Sequence, residues 1–150
     1  MKTWVLAGLV AALAYGVYSL PLKYLSSDRY MKAPLELVAL GLALGVLVTG
    51  GVFAWLRGGM PMLATPTMWR GLLLGAAAGS IWLIGTLTVT AAFRDPATNM
   101  SQLIPLVNAN TLVAVLGGLL VFRELANGAD LIKILVGSVL MMIGGYVLSS

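Results

Sequence analysis

The feature that most constrains the fold of this 150-residue chain is a series of five long apolar stretches separated by short polar segments. These stretches lie at about residues 4–22, 34–56, 69–93, 102–122 and 131–148. A helix needs ~20 consecutive apolar residues to cross a bilayer, and lipid offers the backbone no other hydrogen-bond partners. The sequence therefore predicts an all-α membrane protein in which residues 1–150 form one domain of five transmembrane helices.

The composition supports this class and excludes several kinds of chemistry. Hydrophobic residues make up 60% of the chain and charged residues 9%, whereas soluble domains carry about 25% charged residues. The absence of Cys and His excludes disulfides, thiolate or imidazole metal sites, and catalysis that depends on His. We expect no enzymatic activity, no cofactor and no metal. The net charge of +4 comes from single basic residues at span ends, which is typical of membrane proteins and not of nucleic-acid binders.

The first apolar stretch also has features of a secretory signal. Lys2, the apolar core and the small residues around Leu13 match the three regions of such a signal. The apolar run nevertheless continues past this candidate cleavage site as far as Leu20. We therefore expect this stretch to be kept as a membrane span that ends near Pro21 and Leu22.

Small residues recur every fourth position along several spans, which is the pattern that lets membrane helices approach closely. The second span carries Gly41 and Gly45, and the third carries the longest series, Gly71, Gly75 and Gly79. We predict that these glycines lie at helix contacts. The fifth span is otherwise apolar and contains several glycines, so it suits packing or dimerisation better than solute binding.

Aromatic and hydroxyl side chains form a second pattern on the first and third spans. Trp82, Thr86 and Thr90 are spaced by four residues and share one helix face, while Tyr15 and Tyr18 lie beside the small residues of the first span. One interpretation is that this face lines a polar cavity. The alternative is that the threonines bond their own backbone and the tryptophan lies near the lipid interface.

The fourth span contains three residues that are unusual in a simple membrane anchor: Pro105, Asn108 and Asn110. A side-chain amide within lipid needs protein partners or water. On one continuous helix the two asparagines would point roughly 200° apart, so they cannot both face one cavity. We assign Asn108, which shares a face with Thr111, to a solute pathway and Asn110 to a helix-to-helix hydrogen bond.

Charged residues are absent from the centre of every span, and Glu36 is the nearest case to an exception. This carboxylate lies two residues inside the second span, where it suits the positive end of a helix. The alternative is that Glu36 couples transport to proton movement. This role is less favoured, because Glu36 lies at headgroup depth, where a charge is tolerated. The pattern indicates a neutral or zwitterionic solute for any transport function.

Several motifs together resemble one five-helix, EamA-like repeat of the drug/metabolite transporter superfamily. The resemblance covers nearly the whole chain and rests on AAF at 91–93, QLIPL at 102–106, FREL at 122–125 and the pattern IxxxxGSxLxxxG from Ile132 to Gly144. Pro105 and Glu124 are its most specific positions. Typical members join two such repeats in one ten-helix chain, so the resemblance implies a half-length member that supplies one inverted repeat. Residues 108–112 are most similar to the sugar-uptake branch of the superfamily.

The basic residues at span ends are almost evenly divided between the two sides of the membrane. On the side of the amino terminus lie Lys2, Arg57, Arg70, Arg123 and Lys133, and on the other side lie Lys23, Arg29, Lys32 and Arg94. Lys and Arg in short loops determine which side stays cytoplasmic, so this balance predicts insertion in both orientations. The predicted assembly is an antiparallel homodimer of ten helices. A heterodimer with a separate, oppositely oriented homologue is the alternative.

These observations predict a secondary transporter of the prokaryotic cytoplasmic (inner) membrane that moves a small polar solute by alternating access. The cavity would lie at the dimer interface and be bounded by the first, third and fourth spans, where the candidate solute contacts are Tyr15, Tyr18, Trp82, Thr86, Thr90 and Asn108. Two alternatives are a non-transporting membrane scaffold and an accessory subunit of a heterodimeric transporter or of a lipid-linked sugar flippase.

Overall fold

The computed structural model describes residues 3–58, 66–123 and 128–149, and within these ranges every regular element is a helix. The helices are α1 (Thr3–Ser26), α2 (Leu35–Leu56), α3 (Pro66–Ala92), α4 (Met100–Val107), α5 (Asn110–Leu120) and α6 (Gly128–Ser149). Lys2 and the Glu124 position of the resemblance lie outside the described residues.

Five helical segments are long and apolar enough to cross a membrane. They are Val5–Ser26, Leu35–Leu56, Pro66–Ala92, Met100–Leu120 and Leu131–Leu148, with α4 and α5 together forming the fourth. Their positions agree with the stretches read from the sequence to within a few residues. The all-α class and the five membrane-spanning helices are therefore confirmed, and the chain is an integral membrane protein.

The first span ends later than the sequence analysis placed it. Pro21 lies inside α1, which continues to Ser26 instead of ending near Leu22. A proline inside a helix removes one backbone donor, but its ring does not prevent further turns when packing favours them. Here Leu22 and Ser26, one turn apart, are both buried, so packing on this face supports the last turn.

Contacts within the chain divide it into two compact units, Met1–Pro96 and Ala97–Ser150. In the first unit α3 packs against both α1 and α2. All buried residues that the structure describes in this unit lie near the end where the first loop joins α1 to α2: Ser19, Leu22, Ser26, Ser27, Ala33, Val38, Thr86, Thr90 and Phe93. The three helices are therefore packed together mainly at that end.

The first loop folds back on the last turn of α1. The backbone N–H groups of Met31 and Ala33 donate to the carbonyls of Tyr24 and Leu25, at 3.3 and 2.7 Å. These bonds satisfy carbonyls that the helix end would leave without donors. Lys32 adopts a left-handed conformation with φ of 48°, which turns the chain toward α2. The loop is thus a defined cap on α1.

In the second unit α6 packs against both halves of the fourth span, most closely against α4. The tightest approach is at Gly145, which is buried. A Cβ atom placed there would lie 2.6 Å from the carbonyl oxygen of Pro105. Only a residue without a side chain fits this contact, whereas the neighbouring Gly144 has open space around it.

We predict that Gly145→Ala destabilises the protein by about 1–3 kcal/mol, because the added methyl group forces α6 away from Pro105. Gly144→Ala is the matched control and should be neutral or slightly stabilising, since alanine favours helix more than glycine. Thermal unfolding in detergent measures both variants. Equal melting temperatures for the two variants would show that the Gly145 contact does not support the fold.

Candidate functional site

Three aromatic side chains form a continuous chain between α1 and α3. The ring centroids of Tyr15 and Tyr18 lie 6.3 Å apart in an edge-to-face arrangement, and those of Tyr18 and Trp82 lie 6.4 Å apart. Trp82 is 38% exposed and Tyr15 is 64% exposed, so the rings also present surface outside the unit. The structure thus brings together the three aromatic residues that the sequence analysis selected.

The two selected threonines follow Trp82 on the same face of α3. Thr86 donates its hydroxyl to the carbonyl of Trp82 at 2.9 Å, and Thr90 donates to the carbonyl of Thr86 at 2.7 Å. Both residues are buried within the first unit. Bonding to their own backbone is therefore observed, but each oxygen still has acceptor capacity for a solute hydroxyl or ammonium. Whether these residues line a cavity stays a prediction.

The fourth span is not the continuous helix that the sequence analysis assumed. α4 ends at Val107, α5 begins at Asn110, and the turn between them consists of Asn108 and Ala109. The N–H of Ala109 donates to Leu106 and that of Thr111 donates to Asn108, one residue short of the α-helical pattern. Pro105 removes the donor for the carbonyl of Ser101, one turn before it, so the break at Asn108 lies beyond the bond that this proline removes.

Because of this break, the angle between Asn108 and Asn110 that was expected for one continuous helix does not apply. The backbone tightens between the two residues, so their directions do not follow from regular helix geometry. Asn108 is exposed and ends α4, while Asn110 is exposed and begins α5. The shifted hydrogen bonds also take away the donors that a regular helix would give to the carbonyls of Pro105 and Val107. Asn108 thus lies at a point where the span offers polar backbone and a side-chain amide together.

The glycine faces predicted to pack against helices make no such contact within the described chain. A Cβ atom placed at any of these positions would meet no neighbouring atom within 4 Å: Gly41, Gly45, Gly71, Gly75 and Gly79. Gly41 and Gly45 also line an open apolar groove of about 1080 Å³ beside the first loop and α2. These faces are therefore available to other molecules, and their role in packing stays a prediction.

Two basic side chains near the first loop form contacts that the sequence analysis did not foresee. Arg94 donates from Nη2 to the carbonyl of Ala33 at 2.9 Å, and Nζ of Lys23 lies 4.9 Å from the ring centroid of Phe93. The first contact joins the first loop to the end of α3, and the second joins the last turn of α1 to it. One indication of the Arg94 contact was present in the sequence, since Arg94 lies four residues after Thr90 and continues the spacing of Trp82, Thr86 and Thr90.

Metal chemistry finds no support in the described parts of the chain. They contain no group of three or more His, Cys, Asp or Glu side chains that could hold a metal ion. The Asp28–Lys32 ion pair, at 3.0 Å, is exposed on the first loop. The candidate site therefore consists of aromatic rings and neutral hydrogen-bonding groups.

Comparison with protein-family models, curated proteins and solved structures finds no match to this chain. The resemblance to the drug/metabolite transporter superfamily therefore stays a prediction from the quoted motifs.

We predict that Tyr18→Ala increases the accessibility of Trp82 to a soluble quencher, because the ring of Tyr18 packs beside the indole ring at 6.4 Å between centroids. The measurement is acrylamide quenching of fluorescence in a protein where Trp82 is the only tryptophan. Tyr24→Ala is the matched control, since Tyr24 stacks on Tyr30 at 5.3 Å in the first loop and not on Trp82. Identical quenching in the two variants would refute the aromatic chain.

Proposed function

We propose that this protein is a secondary transporter that moves a small polar solute across the membrane by alternating access. The observation that carries this proposal is the interruption of the fourth span at Asn108 and Ala109, inside the segment Met100–Leu120. Irregular backbone at membrane depth is tolerated where it is buried in protein or lines a water-filled cavity. Discontinuous helices of this kind form the solute and ion sites of many transporters.

The chemistry of the candidate site supports a neutral or zwitterionic solute. In the first unit, Tyr15, Tyr18 and Trp82 offer aromatic surface, and Thr86 and Thr90 offer neutral hydrogen-bonding groups. In the second unit, Asn108 offers an exposed amide. Pockets for small molecules commonly combine apolar or aromatic walls with a few polar groups that fix orientation. An ionised solute would need a compensating charge, and the central parts of the described spans supply none.

The proposed working unit is an antiparallel homodimer with ten helices. One chain supplies five spans, whereas transporter sites commonly lie between inverted repeats. The even distribution of Lys and Arg supports insertion in both orientations. The open space around the glycines of α2 and α3 provides surfaces on which helices of a second copy can pack closely. The resemblance to half of a ten-helix transporter points to the same arrangement.

We predict that the first loop is found on both sides of the membrane. Met31→Cys places one thiol in this loop, on an exposed side chain, without changing the number of Lys and Arg residues. A membrane-impermeant thiol reagent should label roughly half of the molecules in intact cells and the rest only after lysis. Labelling from a single side would refute dual topology and favour a heterodimer with an oppositely oriented homologue.

Transport itself is tested with purified protein in liposomes. A thermal-shift screen of sugars, amino acids and quaternary amines selects the radiolabelled solute, because a ligand at 100 times its Kd stabilises a protein by about 2.7 kcal/mol. We predict that Trp82→Leu and Asn108→Ala each lower flux by about tenfold or more, since each removes a contact worth 1–3 kcal/mol.

Matched controls separate these losses from general damage. Trp69→Leu changes an exposed tryptophan at the start of α3, and Asn99→Ala changes an asparagine that donates to Gln102 ahead of α4. Both variants should retain flux. Glu36→Gln should retain it too, and proton exchange lost in that variant would contradict a neutral mechanism. If no solute raises the melting temperature and no variant changes flux, the chain acts as a scaffold or accessory subunit.

A further inference from the structure

Burial in the first unit is strongly uneven along the helices. Among the described residues of α1 none is buried before Ser19, and in α3 none is buried before Thr86. From these positions toward the first loop, Ser26, Thr90 and Phe93 are almost fully inaccessible. The aromatic chain of Tyr15, Tyr18 and Trp82 therefore lies directly beside the region where the three helices close together.

Two contacts of basic side chains lie at this closed end, in addition to the backbone bonds of the first loop. The guanidinium of Arg94 donates to the carbonyl of Ala33, which lies 61 residues earlier at the point where the first loop enters α2. The ammonium of Lys23, in the last turn of α1, lies against the ring of Phe93 just after α3 ends. Each contact joins a basic side chain at the membrane surface to an element from another part of the unit.

The closed end is a continuation of the candidate site. Trp82, Thr86, Thr90 and Arg94 succeed one another at intervals of four residues along α3 and the turn that follows it. The first of these contacts Tyr18, the next two are buried, and the last bonds the first loop. Any path from the aromatic rings to this side of the membrane along α3 passes the Arg94 contact.

Two buried polar groups at the closed end lack hydrogen-bond partners, and this favours opening. Nε of Arg94 and Oγ of Ser26 are both buried and have no hydrogen-bond partner among the described residues. A buried polar group without a partner costs free energy, and it regains partners when water enters. The two unsatisfied groups offset part of the free energy gained by packing at this end, which lowers the cost of opening it.

We propose that the first loop and the end of α3 form a gate that closes one side of the solute pathway, with Arg94 as its latch and Lys23 as a weaker second contact. In the closed state Arg94 binds the carbonyl of Ala33, and Thr90 is buried. In the open state the bond breaks, the loop moves away from α3, and water reaches Thr90. The role of this movement in alternating access rests on the proposed transport function, whereas the latch itself does not.

The test measures water access to position 90 with a single engineered thiol. The natural chain contains no Cys, so Thr90→Cys gives one reactive group inside the closed end. Because the thiolate is the reactive form and needs water, its alkylation rate reports opening. A membrane-permeant maleimide is used without solute in liposomes, so the result is independent of orientation and of transport.

Arg94→Gln should accelerate alkylation of Thr90→Cys by about tenfold, because it removes a charged hydrogen bond. Lys23→Met should accelerate it by about threefold, as expected for loss of a cation–π contact. Arg94→Lys keeps a charged donor and should restore a rate close to that of the parent. Arg70→Gln, on an exposed arginine at the other end of α3, should leave the rate unchanged.

Ser138→Cys, at a buried position of α6 in the second unit, is the reference for general loosening. Its alkylation rate should be the same in all backgrounds. An unchanged rate at position 90 in Arg94→Gln, or an equal acceleration at positions 138 and 90, overturns the latch. Selective acceleration at position 90 in a protein that moves no solute confirms the latch and removes the transport function. Flux without selective acceleration keeps the transport function and removes the latch.

Discussion

The whole structure depends on the absence of hydrogen-bond partners in lipid. Every backbone group in a span has to find its partner within the protein, so each apolar stretch becomes a helix. The hydroxyl groups follow the same constraint, since Ser19, Thr86, Thr90 and Ser138 all donate to carbonyls of their own helices. Lipid thus favours regular helices with local hydrogen bonds. A departure from this pattern indicates a position where packing or function outweighs that preference.

Two departures stand out in the described chain, and they differ in kind. At Asn108 the backbone leaves the regular α-helical pattern inside a span, with an exposed amide beside it. At Arg94 a charged side chain enters the packed end of the first unit and keeps one buried donor without a partner. In lipid, the irregular backbone at Asn108 would cost free energy. At Arg94, the burial of a donor without a partner costs free energy. The proposed transport function uses both features, because it needs polar groups in the membrane for the solute and a closure that opens for access.

The number and type of the spans could be predicted from hydropathy alone, because length and apolar content determine whether a helix crosses the bilayer. The end of α1 and the break in the fourth span could not, since the position of a proline determines neither. α1 continues past Pro21, where packing of Leu22 and Ser26 supports its last turn, and the fourth span is interrupted only after Val107, beyond Pro105. The sequence analysis placed Tyr18 and Trp82 in the same candidate site because of the helix faces on which they lie. The bond from Arg94 to Ala33 joins residues far apart in sequence, which no local pattern reveals.

Gly145 and the glycines of α3 differ in whether a neighbouring helix occupies the space beside them. Gly145 is used within the chain, since the carbonyl of Pro105 occupies the space that a side chain would need. Gly71, Gly75 and Gly79 recur every fourth residue, and a Cβ atom placed at any of them would meet no atom of the described residues within 4 Å. In lipid, close packing against small residues is a main source of helix association, because hydrophobic driving force is absent there. The proposed antiparallel dimer would use this face, since a helix of a second copy can approach it closely.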